Sequence, residues 1–209
     1  MGHHVDILLI RHSLTVCNEQ KRYNGWKDEH LSPNGRAAAQ MLSQRMPPVD
    51  RVCSSDLNRA CETASILFPG HEIQAFPEFR EVNFGCWEGK RYDELMDEPS
   101  YRQWLEDAEQ FYPPDGETLP TFYKRVNQGW EKLLQEANAR KAHRLAVVTH
   151  AGVIRVLLDT WARREDVTFW DWKIPFGVGY WISGLYEKER KEFQCISLQE
   201  EHFMESTNG

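Results

Sequence analysis

Near its start the chain contains the stretch Val5-Asp6-Ile7-Leu8-Leu9-Ile10-Arg11-His12-Ser13-Leu14-Thr15. Its first six residues are apolar apart from Asp6, and such a short apolar run is typical of a buried strand. An arginine and a histidine follow at the carboxyl end of this strand, the edge where open α/β sheets bind their ligands. A fixed cation beside an imidazole suits the binding of a phosphoryl group that a ring nitrogen attacks.

The rest of the chain alternates between strand and helix signals. Further strands are predicted at 51–53, 145–149, 179–186 and 193–198, and helices from Pro33 until Pro47, over 57–68, over 119–138 and from Gly152 onward. Ser32 is the expected cap of the first helix, and Ser55 or Asp56 is the expected cap of the second. This order predicts an α/β fold, which we expect to be a three-layer αβα sandwich around a mostly parallel central sheet.

Residues 83–118 interrupt this alternation. They contain many acidic residues, a Pro-Pro-Asp-Gly turn, and the aromatic residues Trp87, Tyr92, Trp104, Phe111 and Tyr112. We interpret 83–118 as a small cap with short helices, inserted beside the sheet of a single domain that spans residues 1–209. Its aromatic side chains either form a core of the cap or line a substrate pocket, and the sequence favours neither.

Charge and composition exclude some classes of protein. The 209 residues include 25 Lys and Arg against 32 Asp and Glu, a net charge of −7 that argues against nucleic-acid binding. A few arginines in a cleft can still attract an anionic substrate, because salt screens the diffuse surface charge over about 8–10 Å. No apolar stretch approaches the length of about 18 residues that a membrane span needs.

The cysteines and histidines give further expectations. Five cysteines at irregular spacings predict reduced thiols in a cytoplasmic protein. No histidines stand at a spacing typical of metal ligands, so we expect neither a metal nor another cofactor. The oligomeric state cannot be read from the sequence.

Three further motifs follow the first. They are Ser54-Ser55-Asp56-Leu57-Asn58-Arg59-Ala60, Glu81 with Phe84-Gly85-Cys86-Trp87-Glu88-Gly89, and Thr149-His150-Ala151-Gly152. Together with Arg11–Asn18, they resemble in order and over most of the chain the motifs of the histidine phosphatase superfamily, which includes phosphoglycerate mutases and small phosphatases. Ser13 stands where the family has glycine, and we expect this small residue to be tolerated.

The resemblance implies a phosphomonoester hydrolase that works through a phosphohistidine. It places catalysis on His12, Glu81, Arg11, Arg59 and His150, and phosphate binding on Thr15, Asn18 and Ala151. His12 would be the nucleophile and Glu81 the proton donor to the leaving oxygen, while the other three catalytic residues would stabilise the transferring group. These residue types suit the roles, because a neutral imidazole can attack near pH 7 and an arginine fork matches phosphate oxygens.

Each residue also has an ordinary structural alternative. Arg11-His12 could be a surface pair, Arg59 and Glu81 could be solvated charges, and His150 could be a core or helix-capping residue. The occurrence of all four motifs in one chain and in the family's order favours the functional interpretation.

Within the superfamily, the short length and residues 81–89 and 113–118 are most similar to α-ribazole-phosphate phosphatases of cobalamin nucleotide-loop assembly. Broad-specificity phosphatases share these motifs, and a phosphoglycerate mutase remains an alternative, although known mutases are longer. A protein that only binds a phosphorylated ligand is the alternative from another class. His12 and Glu81 argue against it, because binding alone needs neither a nucleophile nor an acid.

Overall fold

The computed structural model describes residues 2–204 and has a six-stranded sheet at its centre, in the order β3-β2-β4-β1-β5-β6. The strands are β1 (His3–Arg11), β2 (Arg51–Ser54), β3 (Ile73–Ala75), β4 (Arg144–Thr149), β5 (Val178–Glu187) and β6 (Glu192–His202). Strands β1 to β4 pair in parallel, and β5 and β6 extend the sheet in antiparallel pairing beside β1. The prediction of a mostly parallel sheet is confirmed.

Helices cover both faces of the sheet. They are α1 (Val16–Glu19), α2 (Pro33–Ser43), α3 (Asn58–Leu67), α4 (Tyr92–Leu95), α5 (Pro99–Glu106), α6 (Leu119–Arg140) and α7 (Ala151–Trp161). Alternate side chains of β1 point to opposite faces, so Leu8 and Ile10 pack in the layer of α2 and α3, whereas Ile7 and Leu9 pack in the layer of α6 and α7. The predicted three-layer sandwich is confirmed. Of the helices in residues 2–204, none combines the length and apolar character needed to cross a membrane.

The parallel strands bring three of the sequence motifs to one edge of the sheet. In the register, Ile10 of β1 and Ser54 of β2 both lie opposite Val148 of β4. The residues that follow these strands, His12, Ser55 and His150, therefore meet at the carboxyl ends, as the sequence predicts.

Two predicted helix boundaries are wrong. Helix α2 ends at Ser43 rather than at Pro47, because the N–H groups of Arg45 and Met46 bond three residues back, to Leu42 and Ser43, and tighten the chain into a turn before the proline. Neither Ser55 nor Asp56 caps α3, whose N-cap is Leu57 without a side-chain bond. The side chains of Ser55 and Asp56 hydrogen-bond to His150 and Arg80 instead.

Residues 83–118 contain α4, α5 and a single 3₁₀ turn, Gly85–Trp87. Trp87, Leu95 and Tyr101 are buried in a small apolar cluster that is separate from the two layers beside the sheet. We propose that this segment is a cap of a single 1–209 domain, because it has its own small core and contributes walls to the cavity described below.

Candidate active site

His12 directly follows β1 and is almost fully buried. Its Nδ1 lies 2.7 Å from the carbonyl oxygen of Ser13. A carbonyl only accepts hydrogen bonds, so Nδ1 carries the proton and the lone pair is on Nε2. Burial lowers the pKa of His12 well below its usual 6.5, and the charges of Arg59 and Arg11 lower it further. His12 is therefore neutral near pH 7, the state that a nucleophile requires.

The guanidinium groups of the buried Arg59 and the half-buried Arg11 both lower the pKa of His12 through their charge. The terminal nitrogens of Arg59 donate to the backbone carbonyls of residues 24, 25 and 27, while its buried Nε has no hydrogen-bond partner among the described residues. Arg11 donates to the carbonyl of Ile174 at 2.9 Å. Within residues 2–204 neither side chain forms an ion pair with a carboxylate, so both charges are available to a bound anion.

His150 is fully buried at the N-cap of α7, with its ring centroid 5.0 Å from that of His12. Its Nε2 lies 2.9 Å from the Ser55 hydroxyl, which also accepts a bond from the Leu57 N–H. When the hydroxyl hydrogen points at Nε2, the ring proton is on Nδ1. This buried Nδ1 has no partner among the described residues, so it can donate to an anion at the start of the helix.

The Glu81 carboxylate is held against the first turn of α7. Its Oε2 accepts the Gly152 N–H at 3.1 Å, and its Oε1 accepts the Val82 N–H at 3.0 Å. A Cβ atom at Gly152 would lie 2.2 Å from Oε1 of Glu81. Only glycine at this position lets the carboxylate approach the helix so closely.

Thr15 and Asn18 form a capping box at α1. The Thr15 hydroxyl donates to Oδ1 of Asn18 at 3.1 Å and accepts the Asn18 N–H at 3.2 Å. The hydroxyl therefore has partners inside the helix, and the amide nitrogen of Asn18 is the donor of the pair that remains for a phosphate. Ala151 is the first residue of α7, where backbone N–H groups have no partner within a helix.

Ser13 fits its position without strain. Its backbone is not in the left-handed region, where the family glycine would be needed. Its hydroxyl donates to the carbonyl of Gly35 at 2.8 Å, and its N–H donates to the Thr63 hydroxyl at 3.0 Å. The small polar side chain is therefore fully buried with its hydrogen-bonding groups paired.

Glu88 belongs to the third sequence motif, but its role in the structure was not predicted. Its carboxylate accepts the backbone N–H groups of Gly25, Trp26, Lys27 and Phe84. It thereby fixes the loop whose carbonyls hold Arg59. Within its motif it looks like an ordinary acidic residue, because nothing in the sequence shows that the loop at 25–27 lies against it.

A cavity of about 320 Å³ adjoins Glu81 and Gly152. Seven aromatic side chains from separate parts of the chain line it: Tyr23, Phe84, Trp104, Phe111, Phe122, Phe169 and Trp170. Of the aromatic residues in 83–118, Phe84, Trp104 and Phe111 thus line this cavity, whereas Trp87 and Tyr101 fill the cluster described above. Across residues 2–204, no three His, Cys, Asp or Glu side chains are grouped as metal ligands.

We expect the free energy of unfolding to fall as the pH drops below about 6.5, the pKa of histidine in an unfolded chain. The folded-state pKa values of His12 and His150 are both lowered. In the interval below 6.5 the unfolded chain therefore binds more protons than the folded protein, so added protons favour unfolding. Each histidine contributes up to about 1.4 kcal/mol per pH unit.

Urea unfolding in small steps between about pH 7.5 and 5.5 measures this slope. The variants His12→Gln and His150→Gln should each have a smaller slope than the wild type. His143→Gln, which changes an exposed histidine just before β4, at the opposite end of this strand from His150, is the control for loss of a histidine outside the site. Slopes in both site variants that equal the wild-type slope would contradict the buried, neutral state of these histidines.

The fold and this site define a class of α/β protein in which histidine and arginine side chains gather at the carboxyl edge of a parallel sheet. Residues 7–197 match the model of the histidine phosphatase superfamily (branch 1), and the chain belongs to that superfamily. It is accordingly an enzyme of the phosphatase class, whose members act on small phosphorylated substrates.

Several phosphatases are similar to the chain in sequence or structure. The chain is 30% identical over 176 residues to the adenosylcobalamin/alpha-ribazole phosphatase of Salmonella typhimurium, and the match covers 81% of this chain and 85% of the relative. It is 29% identical to phosphoserine phosphatase 1 of Hydrogenobacter thermophilus, over 73% of this chain and 74% of the relative. The crystal structure of the alpha-ribazole phosphatase from Shigella flexneri superposes with a TM-score of 0.78 at 25% identity, over 93% of this chain and 96% of that one.

Proposed function

We propose that the protein hydrolyses phosphomonoesters through a phosphohistidine on His12, with α-ribazole 5′-phosphate as its substrate. The observation that carries the mechanism is the state of the His12 ring. It is neutral because burial and the charges of Arg59 and Arg11 lower its pKa, and its Nδ1 donates to the Ser13 carbonyl, which leaves the lone pair on Nε2. A protein that only bound a phosphate would gain more from a charged imidazole at this position.

In the first step, Nε2 of His12 attacks phosphorus and forms a P–N bond while the ester P–O bond breaks. Glu81, protonated at this stage, gives its proton to the departing alcohol oxygen. Arg11 and Arg59 carry the positive charge that the transferring group requires, and His150 adds a neutral N–H donor. The Asn18 amide and the Ala151 N–H complete the ring of donors.

In the second step, water attacks the phosphohistidine. The P–N bond breaks and its electron pair returns to Nε2, while the proton of the water passes to Glu81. Glu81 is then ready to act as the acid again, and inorganic phosphate leaves. The contact between Glu81 and the Gly152 N–H holds the carboxyl group in place in both steps.

Two observations support α-ribazole 5′-phosphate as the substrate. The relatives from Salmonella typhimurium and Shigella flexneri carry that activity in their names. Seven aromatic side chains line the cavity beside Glu81, and they suit a leaving group that contains a ring.

A hydrolysis panel tests this proposal. It contains α-ribazole 5′-phosphate, O-phosphoserine, 3-phosphoglycerate and 4-nitrophenyl phosphate, and phosphate release is measured for each. We expect α-ribazole 5′-phosphate to have the highest kcat/KM of the natural esters. A higher value for O-phosphoserine or 3-phosphoglycerate would contradict the substrate, and no release from any ester would contradict the function.

We propose a cytoplasmic location, because five cysteines at irregular spacings are typical of a protein whose thiols stay reduced. Nucleic acid is not an expected partner, because the net charge is −7.

A further inference from the structure

One positively charged side chain, that of Arg155, lines the cavity beside Glu81 together with the aromatic residues. Arg155 lies on α7, three residues after Gly152, so it is one turn further along the same face of the helix. Both residues line the cavity together with Glu81. The Arg155 side chain therefore stands where the leaving group of a phosphomonoester would lie, and not where the phosphoryl group is held.

Two contacts fix the Arg155 guanidinium in this position. Its Nε donates to the carbonyl of Trp172 at 2.9 Å, and its central carbon lies 5.9 Å from the ring centroid of Phe169. Arg11 is tied to the carbonyl of Ile174, two residues further along the same segment. The two guanidinium groups are consequently neighbours, and the charge of Arg155 lowers the pKa of Arg11.

The charges around the cavity leave Arg155 without a carboxylate partner. Glu117 also lines the cavity, but Arg125 binds both of its oxygens, at 2.7 and 3.0 Å. Glu81 is bound by the backbone N–H groups of Val82 and Gly152. Within residues 2–204, the two terminal nitrogens of Arg155 form no hydrogen bond and no ion pair. An unpaired cation on a half-apolar wall binds an anion more strongly than it would in open water.

We propose that Arg155 is a specificity-determining residue that binds a carboxylate on the leaving group, which adds carboxylate-bearing phosphomonoesters to the substrates of this enzyme. The planar fork of terminal nitrogens matches the two oxygens of a carboxylate. This inference rests on the proposed phosphohistidine chemistry and concerns only the group that leaves.

Pairs of synthetic esters that differ in charge but not in size test the role of Arg155. The probes are 4-carboxybenzyl phosphate and 4-carbamoylbenzyl phosphate, together with their 3-substituted isomers. Within each pair a carboxylate is replaced by a neutral amide of the same shape, and the benzyl ring suits the aromatic wall. For at least one pair, we expect the wild type to have a kcat/KM about 10- to 100-fold higher with the carboxylate, as for a charge-assisted pair of hydrogen bonds.

Two variants assign the preference to Arg155. Arg155→Met should bring the carboxylate-to-amide ratio of kcat/KM close to one, and Arg155→Lys should keep part of it. Arg190→Met is the matched control, because it also removes one positive charge but on an exposed turn between β5 and β6. Its ratio should equal that of the wild type. Thermal unfolding of each variant shows that the fold is retained.

The outcomes separate this inference from the proposed function. Equal rates for carboxylate and amide esters in the wild type would overturn the role of Arg155 while the hydrolysis stands. An equal loss with both esters in Arg155→Met would also overturn it, because that result means a structural role through the Trp172 contact. If the enzyme hydrolysed neither the benzyl esters nor any ester of the broader panel, both the proposed function and this inference would be overturned.

Discussion

His12→Ala is expected to abolish phosphatase activity, with kcat falling by at least about 10³-fold, as for other enzymes that lose a covalent nucleophile. The unprotonated Nε2 of His12 is the nitrogen available for attack, because Nδ1 donates to the Ser13 carbonyl. His150 does not replace it, because its Nε2 is hydrogen-bonded to the Ser55 hydroxyl. The variant should stay folded, because the lost contact is one hydrogen bond to the Ser13 carbonyl.

The measurement is a rapid-quench reaction with ³²P-labelled substrate, stopped with detergent at alkaline pH because phosphohistidine is labile in acid. Labelled protein should form in the wild type and in the control His143→Ala, and be missing in His12→Ala. Circular dichroism and thermal unfolding check the fold of each variant. Labelled protein or near-normal turnover in His12→Ala would show that another group is the nucleophile.

Glu81→Gln should slow the first step by an amount that depends on the leaving group. An alkyl ester such as α-ribazole 5′-phosphate needs a proton on its departing oxygen, and loss of a general acid costs about 10²–10⁴-fold. An activated aryl ester such as 4-nitrophenyl phosphate leaves as a stable anion and should lose far less. Glutamine also has one accepting oxygen for two N–H groups, so we expect a stability loss of about 1–3 kcal/mol.

Single-turnover formation of the phosphohistidine separates this step from the later attack by water, in which Glu81 is also proposed to act. Glu117→Gln is the control, because it changes the other acid that lines the cavity and should slow both esters alike. If Glu81→Gln reduced the phosphorylation rate equally for the alkyl and the aryl ester, Glu81 would not be the acid.

The positions of the motif residues could be predicted because they depend on strand order. Parallel pairing of β1, β2 and β4 places whatever follows these strands at one edge, and apolar runs are enough to locate such strands. Strand β3 was missed because three residues are too few for a periodic signal. The predicted cap of α3 was wrong because the side chains of Ser55 and Asp56 hydrogen-bond to His150 and Arg80, which are distant in the sequence.

The cavity could not be predicted, because its wall depends on how distant loops pack. Tyr23 comes from the segment after α1, Phe84 and Trp104 from residues 83–118, and Phe169 and Trp170 from the segment after α7. None of these segments has a repeating pattern that fixes its direction. The partners of Arg155 and Glu88 depend on the same packing, so neither residue stood out before the structure.

The bonds of Glu88 restrict how the specificity of this enzyme can be redesigned. Residues 83–118 would be the natural piece to exchange between relatives with different substrates, since they carry part of the leaving-group wall. Glu88 lies inside that piece, yet the loop that it secures at 25–27 belongs to the recipient. A chimera that brings in a new wall must therefore bring in the matching loop as well, or the backbone carbonyls that hold the Arg59 side chain will no longer be fixed.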